Sequence, residues 1–533
     1  MSRVAELPGT RGTAARDLPP VTNRRWLFVL VAVVLLVQMA IAMITTAVRQ
    51  APTVDEPVYV GATVVQLHQH SLRYNPEHPP LGKLVMATGL VFTGARVDPG
   101  FAGDQTELGR HVLYEAGNDP QRLLLAARLP MIVLTLLFGL VVFAFARDLF
   151  GPAGGFVALA LYAFSPDVVA HGSLATLDVP AAGFLLTSVW LVWRARGKAS
   201  CLPLAGLALG AAVATKMSAL AAVPVLVLLA ALSVRDVRRP AVAALVAVAV
   251  VWASYLAVDP LLRWESPADL SGRAVLDWLP FPQPYRDGMR VQFGMEDRVW
   301  GGYLFGTHYE GSRWYYLPAA LLVKTPLGAL VLWLAGVVAL LRVPRLRPAA
   351  PYVLAPVAVL LAAAMTGSRD LGVRYAIFVP VFLAVAAASV VALRRRWAPV
   401  VVGVLVAFVA VSSLRTFPHY LPYSNEAFGG PARTHLHLHD SNVDWGQDLT
   451  RLATRLQRYP GERVWLVYKG AGVPSYYGIN AADPRTVPPD QVRGLLVISN
   501  SAIAKADDRL KALIAGSTPV DDVGHSITIF RRR

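Results

Sequence analysis

The sequence contains one cysteine, Cys201, in 533 residues. An intrachain disulfide is therefore excluded, as are zinc and iron–sulfur sites built on clustered thiolates. Cys201 opens an apolar run and reads as inert. Charge is scarce too. Asp, Glu, Lys and Arg make up 16% of the chain, against about 25% in soluble globular proteins. With 55% hydrophobic residues and a mean hydropathy of +0.48, a soluble globular chain is excluded. The apolar residues form long runs separated by short charged clusters, the pattern of an integral membrane protein. No internal repeat is visible, which argues against an inverted-repeat transporter.

The charge that is present is mostly basic, with a net value of +16. Nucleic acid is the first partner such an excess suggests. Its distribution argues otherwise, because many Lys and Arg lie in short loops between apolar runs, where they set membrane orientation. The remainder suits an anionic ligand.

Residues 1–25 are polar and read as a disordered cytoplasmic tail. The run from Trp26 to Val48 is too long for a signal-peptide core and has no small-residue cleavage site, so it reads as a retained helix. Spans are expected to begin near Trp26, Arg122, Gly154, Val179, Leu202, Met217, Ala241, Tyr316, Tyr352, Tyr375 and Val400. With Arg24-Arg25 inside, alternation places Arg147, Arg194 to Lys198, Arg235 to Arg239, Arg342 to Arg347 and Arg394-Arg395-Arg396 inside as well. That agreement with the positive-inside rule supports an odd count and an external C-terminus. The expected fold is an α-helical polytopic membrane protein of about eleven transmembrane helices, plus a C-terminal soluble α/β domain. The transmembrane domain covers 26–416, with long outer loops at 49–121 and 259–315. The extracytoplasmic domain covers 417–533. In it, Val464 to Tyr468, Gly494 to Ile498 and Ser526 to Phe530 read as strands, and Leu449 to Arg458 and Ile503 to Ile514 as helices.

The outer boundary collects the chemistry-bearing residues. Asp55-Glu56 follows the first helix, where a carboxylate can take a proton from a hydroxyl, bind a cation or simply be solvated. In Asn75-Pro76-Glu77-His78-Pro79-Pro80 the prolines start a surface helix and hold Glu77 and His78 at its mouth. Asp178 opens the fourth span, either as a functional acid at membrane depth or as a favourable charge on the helix dipole. Lys216, Lys324, Arg369 and Arg374 face the same side. A buried ammonium such as Lys324, inside the eighth apolar run, needs an anion, unless it snorkels to headgroups. Acids beside such cations meet the needs of transfer from a lipid phosphate: cations neutralise the leaving phosphate and a carboxylate takes the proton of the attacking hydroxyl.

These residues resemble the lipid-carrier-dependent glycosyltransferases of the GT-C class, in particular the protein O-mannosyltransferases and the aminoarabinose transferases that modify lipid A. The resemblance rests on Asp55-Glu56, His78-Pro79-Pro80-Leu81-Gly82-Lys83, Asp178, Thr215-Lys216, Lys324-Thr325-Pro326 and Arg374-Tyr375 ahead of Pro380. It spans about residues 50–380. It implies a polyprenyl-phosphate-linked sugar as donor, a hydroxyl acceptor on protein, glycan or glycolipid, and inversion at the anomeric carbon. It implies Asp55 as catalytic base with Glu56 beside it, Asp178 as a second acid, and Lys216, Lys324, Arg369, Arg374 and Tyr375 as the lipid-phosphate site. His78 would contact acceptor or sugar. Some members bind a divalent metal through residues matching Glu77 and His308, so a metal is an optional cofactor. The chain departs from the eukaryotic pattern in having no β-trefoil insertion.

The tail instead carries Asp440-Ser441-Asn442-Val443-Asp444-Trp445-Gly446-Gln447-Asp448. Asp444, Trp445 and Gln447 either bind acceptor or sugar, or form a turn and cap for the Leu449 helix. Just before it, His435, His437 and His439 alternate and would share one face of a strand. The sequence thus points to a membrane glycosyltransferase at the outer face of a bacterial inner membrane, with the N-terminus cytoplasmic. The rivals are a transporter or flippase for an anionic lipid-linked substrate, and an assembly protein anchoring the external domain.

Overall fold

The computed structural model describes residues 25–234, 236, 238–267, 270, 274–393 and 395–533. The tail expected over 1–25 lies outside them except for Arg25, as do Arg24, Arg235 and Arg394 of the orientation-setting clusters. Among the described residues, five helices are long and apolar enough to cross a membrane: Trp26–Arg49, Pro120–Ala163, Arg238–Leu256, Arg347–Ala364 and Ala398–Thr416. Shorter apolar helices at Cys201–Thr215, Met217–Ser233, Leu327–Arg342 and Phe378–Ala392 pack among them. The chain is a helical multi-span membrane protein with a small C-terminal sheet region.

The Pro120–Ala163 helix has 44 residues, roughly 66 Å if straight, about twice the hydrocarbon thickness of a bilayer. It is broken at Gly151, whose φ of 83° is open to glycine at no steric cost, and Pro152 follows. The two limbs match the runs expected from Arg122 and Gly154. The run expected from Tyr316 is also interrupted. Its helix ends at Lys324, and Leu327–Arg342 starts after Thr325-Pro326, because a proline has no N–H to continue the ladder. Lys324 therefore terminates a helix and does not lie inside a continuous span.

The long loop expected over 49–121 is mostly helical, with Glu56–Gln69, Pro80–Leu90 and Gln105–Arg110. Pro80 occupies the first helical position and Pro79 is extended, as the double proline requires. The long loop expected over 259–315 contains the amphipathic helix Gln283–Glu296 and a hairpin, β1 (Gly301–Leu304) with β2 (Thr307–Glu310).

Beyond Thr416, strands β3 (Val464–Val467), β4 (Gly494–Ser499), β5 (Thr518–Val523) and β6 (Ile527–Arg532) form a sheet in the order β3-β4-β6-β5. β3 and β4 are parallel and the other pairs antiparallel. Alternation along the strands buries both faces. Leu495, Val497, Ile527 and Ile529 pack on Leu449 and Leu452 of the Leu449–Leu456 helix. Trp465, Leu496, Ile498 and Phe530 pack on Leu510 and Leu513 of the Asp508–Ala515 helix. Two expectations are corrected. The helix expected over 503–514 is two, Asn500–Ala504 and Asp508–Ala515, because the Asp507 side chain caps a new start at the Leu510 N–H. His435, His437 and His439 are not on a strand. His435 lies within the short 3-10 helix Pro431–Leu436, His437 caps its end and His439 precedes the next turn, Asp440–Asn442, so period-2 alternation does not put them on one face.

Candidate active site

Asp55 lies between the first helix and Glu56–Gln69, on a loop that Glu56 fixes. The Glu56 carboxylate is fully buried and meets Arg128 bidentately, at 2.7 Å from Nε and 2.6 Å from Nη2. It also accepts from the Thr53 N–H (2.9 Å), the Thr53 hydroxyl (3.0 Å) and the Ala175 N–H (2.9 Å). Arg128 spends its remaining N–H groups on the carbonyls of Ala47, Gln50 and Ala51 at the end of the first helix. Burial pushes the Glu56 carboxyl up, but Arg128 and the hydrogen bonds outweigh it and hold it below its ordinary value. All its acceptor positions are taken. The expected catalytic part for Glu56 is therefore corrected: it braces the Asp55 loop and the 175–178 turn, and has no free lone pair directed at a substrate.

Asp55 itself is about a quarter exposed and accepts a 2.6 Å hydrogen bond from Arg374 Nη1. The same Arg374 nitrogen lies 3.9 Å from Asp178. Asp178 is the first residue of its helix, makes no cap bond, and is paired with Lys216. Lys216 is extended at the end of the Cys201–Thr215 helix, which turns its side chain back to Asp178. Acid and base thus alternate along Asp55, Arg374, Asp178 and Lys216.

Tyr375 is the hub of the cations. Arg374, Lys216 and Arg369 stand 5.0, 5.4 and 5.9 Å from its ring centre, within cation–π range. Arg369 is paired with Glu296, at 2.9 Å from Nε. These residues form the polar end of a cavity of about 520 Å³, whose other walls include Ala181, Leu185, Leu220, Phe293, Leu360 and Phe378. Lys216, Arg369, Arg374, Tyr375 and Asp178 are thus brought together as expected.

Lys324 is not. It is fully buried, 3.3 Å from Asp167, and donates to the carbonyls of Leu421 (2.5 Å) and Asn442 (2.9 Å). With an anion and two carbonyls already around its ammonium, it fastens the segment after the last span to the helical core. It is not among the residues that line this cavity.

His78 packs edge-on against Tyr59 with ring centres 5.5 Å apart. Burial, then the neighbouring Lys216 and Lys83, holds its pKa well below the ordinary value, so it is a neutral imidazole. Lys83 donates to both Asn75 oxygens and to the His78 carbonyl, which shapes the loop that presents His78. Glu77 accepts from Gln105 at 2.8 Å and its second oxygen has no partner. His308 is exposed on β2. Among the described residues no three His, Cys, Asp or Glu side chains converge as metal ligands. Glu77 and His308 therefore belong to no such group.

The tail motif reaches the site from behind. The Trp445 ring lies 4.4 Å from the Arg374 guanidinium centre and is buried. Its carbonyl accepts from the Val54 N–H and the Gln447 carbonyl from the Ala51 N–H, both at 3.0 Å. Gln447 accepts from the Trp445 N–H at 2.7 Å. Asn442 accepts from the Val373 N–H at 2.9 Å, next to Arg374. Asp444 is buried and bonds the Gly446 and Ser501 N–H groups at 3.2 and 3.3 Å and the Ser499 side chain. Burial raises its pKa to about 7. All three are buried, and Trp445 and Gln447 brace the Asp55 loop and Arg374. The sequence reading missed Arg128 and Glu296. Arg128 had a signal, a lone charge inside an apolar run; Glu296 had none beyond its amphipathic helix.

Residues 121–262 match the family described as dolichyl-phosphate-mannose-protein mannosyltransferase. Over that stretch the chain is similar to this family, one of those its motifs resemble. No curated protein matches the chain. Among solved structures, the chain is similar to ArnT from Cupriavidus metallidurans bound to undecaprenyl phosphate, at 16% identity over 96% of this chain and 98% of that one, with a TM-score of 0.48. An Archaeoglobus fulgidus oligosaccharyltransferase matches at 13% identity over 94% and 74% of the two chains, TM-score 0.46. The Saccharomyces cerevisiae Pmt1–Pmt2 protein O-mannosyltransferase bound to its sugar donor matches at 16% over 54% and 39%, TM-score 0.34.

Proposed function

We propose that the chain is a GT-C-type membrane glycosyltransferase that moves a sugar from a polyprenyl-phosphate donor to a hydroxyl acceptor. The observation that carries this reading is the cavity, with three cations around Tyr375 at one end and apolar walls elsewhere, and with the Asp55 carboxylate bound to one of those cations, Arg374. An isoprenoid phosphate has that division, a charged head on an apolar chain. In the reaction Asp55 takes the proton of the acceptor hydroxyl. The hydroxyl oxygen attacks the anomeric carbon from the face opposite the phosphate, which inverts it. The carbon–oxygen bond to phosphate breaks and its electron pair leaves on the phosphate, where Lys216, Arg374 and Arg369 balance the charge. Asp178 holds Lys216 and Arg374 in place, and His78 faces the sugar or acceptor as a neutral hydrogen-bonding group.

This reading takes about eleven spans over 26–416, an outer-facing site, an extracytoplasmic α/β domain at 417–533 and a bacterial inner membrane with the N-terminus in the cytoplasm. It is supported by the two limbs of Pro120–Ala163 and by the position of the cavity at the helix ends expected outside. The test is transfer of labelled sugar from a polyprenyl-phosphate donor by purified Asp55→Asn and Asp55→Ala. Loss by at least about a hundredfold is expected for a general base; near-normal transfer by both removes Asp55 from the role. Movement of the lipid-linked substrate across proteoliposomes without any new bond would favour the flippase instead.

A further inference from the structure

Every cation of the cavity already has a carboxylate. Lys216 is paired with Asp178, Arg374 with Asp55, and Arg369 with Glu296. A phosphate entering this site brings negative charge into a set that is already neutral. Beside apolar walls, a carboxylate left without its cation is costly. One of the three acids must give way.

The surroundings single out which. Asp178 is 4% exposed and faces two cations. Asp55 sits on the loop locked by Glu56 and Arg128, and it has the proton to take. Glu296 is 29% exposed and is the last residue of the amphipathic helix Gln283–Glu296, not of a membrane helix. Its oxygens accept from Arg369 and from the Ser368 N–H (2.8 Å) and hydroxyl (2.9 Å). That is a guanidinium, a backbone N–H and a hydroxyl around one anion, the donor set that phosphate oxygens take.

We propose that Glu296 is an internal stand-in for the donor phosphate: it occupies Arg369 and Ser368 in the free enzyme, and the phosphate displaces it. Met289, Gln292, Phe293 and Glu296 share the cavity-lining face of the helix. Release of Glu296 therefore loosens the wall of the cavity together with its charge balance. Glu296 sets how tightly the donor binds, by competing for the same groups.

The inference rests on the cavity being the donor-phosphate site, and the experiment separates the two. Binding of farnesyl phosphate to the full-length protein in detergent is measured for wild type, Glu296→Gln, Arg369→Gln, the double variant and Lys216→Gln. Glu296→Gln is expected to bind about tenfold more tightly, the scale of one partly buried ion pair. The gain is expected to vanish in the double variant. Hydrogen exchange over 290–298 is expected to rise when farnesyl phosphate binds wild type, and to be high already in Glu296→Gln. If wild type binds, Lys216→Gln weakens binding, and Glu296→Gln binds equally or less tightly, the stand-in is overturned while the proposed function stands. If wild type does not bind, or Lys216→Gln binds as wild type does, the donor site is misplaced and both readings fall.

Discussion

Asp55 and Glu56 are adjacent carboxylates with opposite fates. Glu56 is enclosed by five hydrogen bonds, two of them from a bidentate guanidinium. Asp55 has one ion-pair partner, the cavity-lining Arg374. Glu56→Gln would leave Arg128 buried without its anion, which costs about 3–5 kcal/mol. The expected outcome is a marked fall in the thermal unfolding midpoint in detergent together with lost transfer. Asp55→Asn should lose transfer with little change in the midpoint. Asp444 has a pH signature. Its folded pKa of about 7 lies above the ordinary 3.8 because burial outweighs its hydrogen bonds. Between those values the folded state holds a proton that the unfolded state has lost. Its contribution is therefore full below about pH 4 and is lost as pH rises through about 7. Thermal unfolding measured from pH 4 to 8 should show the wild-type midpoint falling more steeply than that of Asp444→Asn.

At the scale of elements, the break at Thr325-Pro326 decides what Lys324 does. Had the helix run on, the ammonium would have faced lipid or a ligand. Because it ends, the chain after the last span comes close enough for Leu421 and Asn442 to offer carbonyls, with Asp167 as anion. Lys324→Met is expected to destabilise the protein by about 3–5 kcal/mol through the orphaned Asp167. Among the molecules that fold, farnesyl phosphate affinity should be little changed, whereas Lys216→Gln should weaken it. Paired thermal unfolding and binding measurements on the two variants check this.

At the scale of the whole molecule, the sheet region is fastened to the end of the helices that holds Asp55 and Arg374. The Ala51 and Val54 N–H groups bond the carbonyls of Gln447 and Trp445, and the Trp445 ring backs Arg374. A chain ending at residue 416 keeps every helix of the membrane part but loses these supports. It is expected to insert in membranes and to show neither farnesyl phosphate binding nor sugar transfer; transfer by that truncated chain would show that the clasp is dispensable.

The membrane character, the helix runs and the main strands were legible in the sequence because each depends on local periodicity or run length: apolar stretches near 20 residues, prolines at breaks, a short continuous apolar run in β4. Asp55, Asp178, Lys216 and Arg374 were legible as an outer-boundary set because topology alone places them on one side. Proximity in depth did not tell which charge meets which. Lys324 shares their side yet finds Asp167, and Glu56 shares Asp55's turn yet finds Arg128, while Arg369 finds Glu296 from a loop far along the chain. Such pairings are fixed by packing between segments tens to hundreds of residues apart, and no short-range pattern encodes them. The sequence by itself determined that this protein gathers acids and cations at one membrane boundary, since burying those groups in lipid is too costly for any other arrangement. Only the tertiary structure decided which of them are spent on holding the fold and which gather at the cavity.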